Sequence, residues 1–155
     1  MLKLVNIKEC IDHIEDVMEL IYKEWGEFFS GSKEDKIKKI RKSIKESNEF
    51  PQIYVIKEDN NIVGSFTFKD KDLDNCDLTP WLACVVIDEK YRGKGYGRDL
   101  LEFVKLIADE KYPILYLTTK HIGYYEKIGF EYIGDVEHNG TIERLYKRDV
   151  SNRRD

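Results

Sequence analysis

The chain has 155 residues, 41% of them hydrophobic, with 30 acidic and 26 basic side chains and a formal net charge of −4. That length fits a single domain over residues 1–150 with a frayed tail at 151–155, and the near balance of charge excludes general polyelectrolyte attraction to nucleic acid or to a membrane surface. Cys10, Cys76 and Cys84 are odd in number and have no histidine at metal spacing, and no apolar run reaches the ~18 residues of a membrane span, so free thiols, no metal and a cytoplasmic location are expected.

Leu2 to Ile7 reads as a short strand. Ile11, Ile14, Val17, Met18, Ile21, Tyr22 and Trp25 then recur at helical spacing and define a first helix. Gly26 to Gly31 interrupts it and Ser32 can cap a second helix, in which Ile37, Ile40 and Ile44 thread a lysine-rich segment. Glu34–Lys38 and Asp35–Lys39 have supportive i,i+4 spacing. Ile53–Ile56 and Ile62–Phe68 flank the turn-rich Glu58–Asn61 and predict a hairpin. An acidic stretch follows, with Asp70, Asp72, Asp74 and Asp77, and then Trp81–Ile87 is continuously apolar, as a strand buried on both faces would be. Tyr96, Leu100, Val104 and Ile107 mark a third helix and Pro113–Thr118 a fifth strand. Tyr124–Ile128 is a short helix, and Phe130–Ile133 and Thr141–Tyr146 are closing strands.

The segment Val85 to Leu101 carries the most chemical information. It runs from the apolar strand, through a basic turn with Gly93, Gly95 and Gly97, into the third helix. Glycines let a backbone approach a ligand closely, and amides at a helix N-terminus favour an anion. No Gly-Lys pair is followed by Ser or Thr, which excludes a P-loop, and Arg98 stands where a dinucleotide fingerprint needs its third glycine. Arg92-x-x-Gly95-x-Gly97 instead resembles the acyl-CoA pyrophosphate loop of the GCN5-related N-acetyltransferases (GNAT superfamily). Tyr124-Tyr125-Glu126-Lys127-Ile128-Gly129-Phe130 resembles that family's second signature. The likeness covers residues 51–148 well, matches the N-terminal third in layout only, and points to a small bacterial-type member.

The resemblance implies an α/β (α+β) fold, with a mixed, mostly antiparallel sheet of about seven strands and helices on both faces. It also implies acetyl-CoA as cofactor and an N-acetyltransferase acting by direct ternary-complex transfer. A bulged Trp81–Ile87 strand would hold pantetheine through the backbone of Val85, Val86 and Ile87. Arg92, Gly93, Lys94, Gly95, Tyr96, Gly97 and Arg98 would wrap the pyrophosphate. Tyr125 matches the tyrosine that serves as general acid toward the CoA sulfur in many members. The strand glutamate that some members use as base is replaced by Trp81, which leaves His121 or a water chain ending on an Asp70–Asp77 carboxylate. The usual proline of the strand-to-loop turn is replaced by Glu89.

Acceptor specificity in such proteins comes from the first two helices, their connection and the last hairpin, so Trp25, Phe28, Phe29, Asp77, His121 and His138 are candidates. Trp25 serves equally well as the end of the first helix's core stripe, and the acidic stretch equally as a solvated loop. A small primary amine is the expected acceptor. A peptide amine, or an acyl-CoA sensor without turnover, are the alternatives, and the expected assembly is a monomer or homodimer.

Overall fold

A computed structural model describes residues 1–152. Seven strands, β1 (Leu2–Asn6), β2 (Gln52–Glu58), β3 (Asn61–Lys69), β4 (Trp81–Ile87), β5 (Ile114–Thr119), β6 (Glu131–His138) and β7 (Thr141–Asp149), are hydrogen-bonded in the order β1-β2-β3-β4-β5-β7-β6. β4 and β5 pair in parallel, while β1–β2, β2–β3, β5–β7 and β6–β7 are antiparallel, so the sheet is mixed and mostly antiparallel, as expected. Three helices accompany it: α1 (Ile14–Trp25), α2 (Lys33–Lys45) and α3 (Tyr96–Lys111). The chain divides into two compact units, Met1–Phe68 with Cys84–Gly97, and Lys69–Ala83 with Arg98–Asp155.

In the first unit the apolar stripe of α1 buries Ile14, Val17, Met18 and Ile21 against Ile40 of α2 and Ile53 and Val55 of β2. The helix begins later than the spacing predicts. Ile7–Glu9 and Ile11–His13 form 3-10 turns and leave Ile11 44% exposed. Ser32 caps α2, its hydroxyl accepting from the Asp35 amide at 3.1 Å. α2 makes ion pairs with α1, Lys33 to Glu19 and Arg41 to Glu15, because the two helices lie side by side. β2 and β3 are joined by Asp59 and Asn60, with Asp59 at φ 55°. Gly64 on β3 has a packing reason: a Cβ there would lie 2.6 Å from the Val86 carbonyl of β4.

β4 is not buried along its whole length, contrary to its apolar run. Trp81, Leu82 and Val86 are buried, but Ala83, Cys84, Val85 and Ile87 are half-buried. The physical reason is Cys84, whose φ of 53° is left-handed and interrupts the extended course of the strand.

In the second unit Trp81 packs at a tilt against Tyr116, ring centres 5.5 Å apart, and donates its indole N–H to the Leu78 carbonyl at 2.6 Å. Leu73, Cys76 and Leu78 pack on the same cluster, so the acidic stretch is pinned by its apolar residues. α3 buries Leu100, Leu101, Val104, Ile107 and Ala108. Arg148 of β7 is fully buried, donates to the Ile128 carbonyl at 2.7 Å and pairs with Asp109 of α3. β6 runs on past Gly134 to His138, farther than its sequence predicts, with a register shift between Tyr132 and Gly134. It ends the strand order and exposes Glu131, Asp135 and Glu137. Of the expected frayed tail, Ser151 bonds to Asp149, and 153–155 lie outside the described residues.

Candidate active site

The glycine turn is built outward from the end of β4. The Asp88 amide donates to the Val63 carbonyl at 2.8 Å, and the Asp88 carboxylate accepts from the Lys90 amide at 3.0 Å, capping a 3-10 turn over Glu89–Tyr91. Gly93 and Gly95 then take φ values of 78° and 83°, a conformation costly for residues with a Cβ, and α3 starts at Tyr96. Successive amides in such a turn, continued by a helix N-terminus, form an anion nest. A Cβ on Gly93 would meet nothing within 4 Å. Arg92, Gly93, Lys94, Gly95 and Arg98 are exposed, and the Lys94 ammonium lies 5.6 Å from the Tyr91 ring centre. Tyr96 donates its hydroxyl to Glu58.

Arg92 is placed differently from a phosphate clamp. Its Nε donates to the Ile87 carbonyl at 3.0 Å and its Nη2 to Glu24 of α1 at 3.2 Å, so the side chain braces the turn. Trp25 is brought to the same strand: its indole N–H donates to the Val85 carbonyl at 3.3 Å. Of the neighbouring aromatics, Phe29 packs on Tyr22 with ring centres 5.1 Å apart, whereas Phe28 is 43% exposed.

In the second unit Tyr125 opens a 3-10 turn, Tyr125–Ile128, that Gly129 closes at φ 100°. Its ring is buried, edge-on to Tyr124 at 4.8 Å and to Phe130 at 6.1 Å. Burial pushes the phenol well above the ordinary tyrosine range, with Tyr124 adding to the effect. His121 is exposed in the turn after β5, where its amide donates to the Thr119 hydroxyl at 3.1 Å and its ring lies 6.3 Å from that of Tyr124. Asp77 is exposed.

A cluster that sequence reasoning touched only through His138 and the acidic stretch forms in this unit. His138 Nδ1 shares a hydrogen bond with the Thr118 hydroxyl at 2.8 Å and lies 3.9 Å from Glu143, while Nε2 lies 4.0 Å from Asp72. Lys69 holds the other oxygen of Asp72 at 3.3 Å. The side chains of Asp72, Glu143 and His138 are each about 15% exposed. Five residues spread over the chain meet here, and only the acidic composition of 70–77 hints at it.

No helix among the described residues is long and apolar enough to cross a membrane, and none of their His, Cys, Asp and Glu side chains group as a metal site would. Residues 49–132 match the family profile described as Acetyltransferase (GNAT) domain. The spermine/spermidine N(1)-acetyltransferase of Bacillus subtilis (strain 168) is 32% identical over 80 residues, 47% of this chain and 53% of that protein, so the match spans about half the relative's length. Among solved structures, a dodecameric spermidine N-acetyltransferase from Vibrio cholerae has a TM-score of 0.73 at 15% identity, covering 97% of this chain and 94% of that one. A Salmonella typhimurium protein, described as an acetyltransferase and solved with its cofactor acetyl-CoA, has a TM-score of 0.70 at 13% identity, covering 98% and 95%. The fold, the glycine turn after β4 and the profile match agree: this chain belongs to the GNAT superfamily.

Proposed function

We propose that the protein moves the acetyl group of acetyl-CoA to a primary amine of a small, cationic molecule by direct transfer in a ternary complex. The observation that carries this reading is the exposed turn with left-handed Gly93 and Gly95 set between a kinked β4 and the start of α3. That donor set suits a pyrophosphate, with Lys94 and Arg98 adding charge. Backbone groups of Val85, Val86 and Ile87 would hold the pantetheine, Val85 and Ile87 being half-buried beside the left-handed Cys84. Acetyl-CoA supplies the activated acyl group when bound.

The chain's own residues then hold and move protons. Tyr125, whose burial keeps its hydroxyl protonated, serves as the donor to the departing sulfur, in an apolar setting that also makes a thiolate costly to leave charged. The carboxylates of Asp72 and Glu143, set on either side of His138, hold the acceptor's ammonium. His121, exposed beside Tyr124, takes up the amine's proton. The Bacillus subtilis relative, named for spermine and spermidine, supports a polycationic acceptor.

The test is release of free thiol from acetyl-CoA with polyamines, aminoglycosides, amino acids and short peptides, using wild type beside Tyr125→Phe. Turnover confined to small cationic amines and weakened in the variant is expected. Turnover with peptides alone, or tight acetyl-CoA binding with no acceptor, would overturn the reading.

A further inference from the structure

Three consecutive residues at the end of α1 each bond to the β4 segment. Lys23 pairs with Glu89 at 2.8 Å, Glu24 with Arg92 at 3.2 Å, and Trp25 donates to the Val85 carbonyl at 3.3 Å. Neighbours on a helix point about 100° apart, so three in a row reach one partner only where that partner wraps the helix end. Segment 85–92 does so, running from strand to 3-10 turn to glycine loop.

The two carbonyls engaged, Val85 by Trp25 and Ile87 by Arg92, are two residues apart, and carbonyls at that spacing share one edge of a strand. The carbonyl between them, that of Val86, lies against Gly64 of β3 on the opposite edge. In extended backbone the N–H and C=O of one residue face the same edge, so the Val85 and Ile87 amides lie on the edge that Trp25 and Arg92 engage. The indole is itself anchored, partly buried against the first core.

We propose that Trp25 is a positioning residue for the cofactor strand. With Arg92 it masks the carbonyls on one edge of β4, so that this edge presents amide donors to the carbonyl groups of a bound acyl-CoA. The inference rests on the proposed cofactor site and assigns a separate role within it. Trp25 thereby acts on the cofactor through the backbone of Val85, and not as a wall of the acceptor site.

The experiment titrates wild type and Trp25→Phe with CoA by calorimetry, beside thermal unfolding and steady-state kinetics. Loss of one hydrogen bond predicts CoA binding about five- to tenfold weaker in the variant. KM for acetyl-CoA should rise in step, kcat should change less than about twofold, and the unfolding midpoint should stay within a few degrees. A folded Trp25→Phe that binds CoA like wild type, or one whose KM rises for the acceptor alone, overturns the proposal and leaves the acetyltransferase reading intact. Failure of wild type to bind CoA overturns both. If the variant does not fold, the indole N–H resonances of the two tryptophans decide. One of the two shifting on saturation with CoA is expected, and both unmoved would be fatal.

Discussion

Arg92 turns its guanidinium toward Glu24, 3.2 Å away, so in the proposed cofactor site recognition of a phosphate falls to the backbone of residues 93–97. Carboxylates placed in that backbone nest should therefore act more strongly than changes at Arg92. Gly95→Asp with Gly97→Asp is expected to weaken CoA binding about a hundredfold or more, through like-charge repulsion in a confined site. Arg92→Gln should cost less than about tenfold, because its exposed ion pair is screened. Calorimetry with CoA at low and moderate salt measures both.

Gly64→Ala should damage the cofactor strand from behind. The new Cβ would meet the Val86 carbonyl at 2.6 Å and the Ile87 side chain at 2.8 Å, so β4 must shift. A loss of about 1–3 kcal/mol in denaturant unfolding is expected, together with weaker CoA binding, even though Gly64 is buried away from the loop.

How much of this was legible in the sequence depends on distance along the chain. β4 was bounded correctly because Pro80 and Asp88 punctuate a continuous apolar run, and the Ser32 cap because its partner lies three residues away. The kink at Cys84 left no sign, since a left-handed cysteine has no compositional marker. The strand expected to end at Ile133 continues to His138 through a register shift between Tyr132 and Gly134, which no local pattern marks. Asp72, Thr118, His138 and Glu143 meet only once the β6–β7 hairpin is paired, which no local pattern encodes. The glycine turn of the Arg92 loop was legible, but the turning of its arginine toward α1 was not.

The phenol of Tyr125 gives a pH prediction. Its folded pKa is raised, so the hydroxyl stays protonated through neutral and mildly alkaline pH and ionises only above the usual phenol value near 10. The rate should therefore show no alkaline fall from Tyr125 below about pH 10. Tyr125→Phe should lower kcat by about ten- to a hundredfold with little change in CoA affinity, and a pH–rate series on both forms checks this.

Asp72→Asn and Glu143→Gln should discriminate among acceptors. Each removes one of two shielded carboxylates beside His138, which predicts a rise in KM of about tenfold for polyamines and almost none for singly charged amines. Equal effects on both classes would sink the assignment of these residues to the ammonium.

Asp109→Ala leaves the fully buried Arg148 without its carboxylate. About 2–3 kcal/mol of stability should be lost, at the low end for a broken buried pair because Asp109 itself reaches water. In the wild type the Asp109 carboxyl is held below its ordinary value, first by its hydrogen bond to Arg148 and then by that to Lys105. Its contribution is thus full above the unfolded carboxyl pKa and fades as pH falls through that value toward the lower folded one. Unfolding midpoints between pH 7 and pH 3 should show the wild type losing more than the variant.

The outermost strand protects the molecule against its own kind. β6 closes one side of the sheet with an unpaired edge, and open edges invite self-addition and fibrous aggregation. Glu131, Asp135 and Glu137 project there, so a second copy docking strand to strand would set carboxylates opposite carboxylates. Crowded, freshly made chains at neutral pH thus meet an electrostatic barrier at this edge of the sheet, and acidification would remove it.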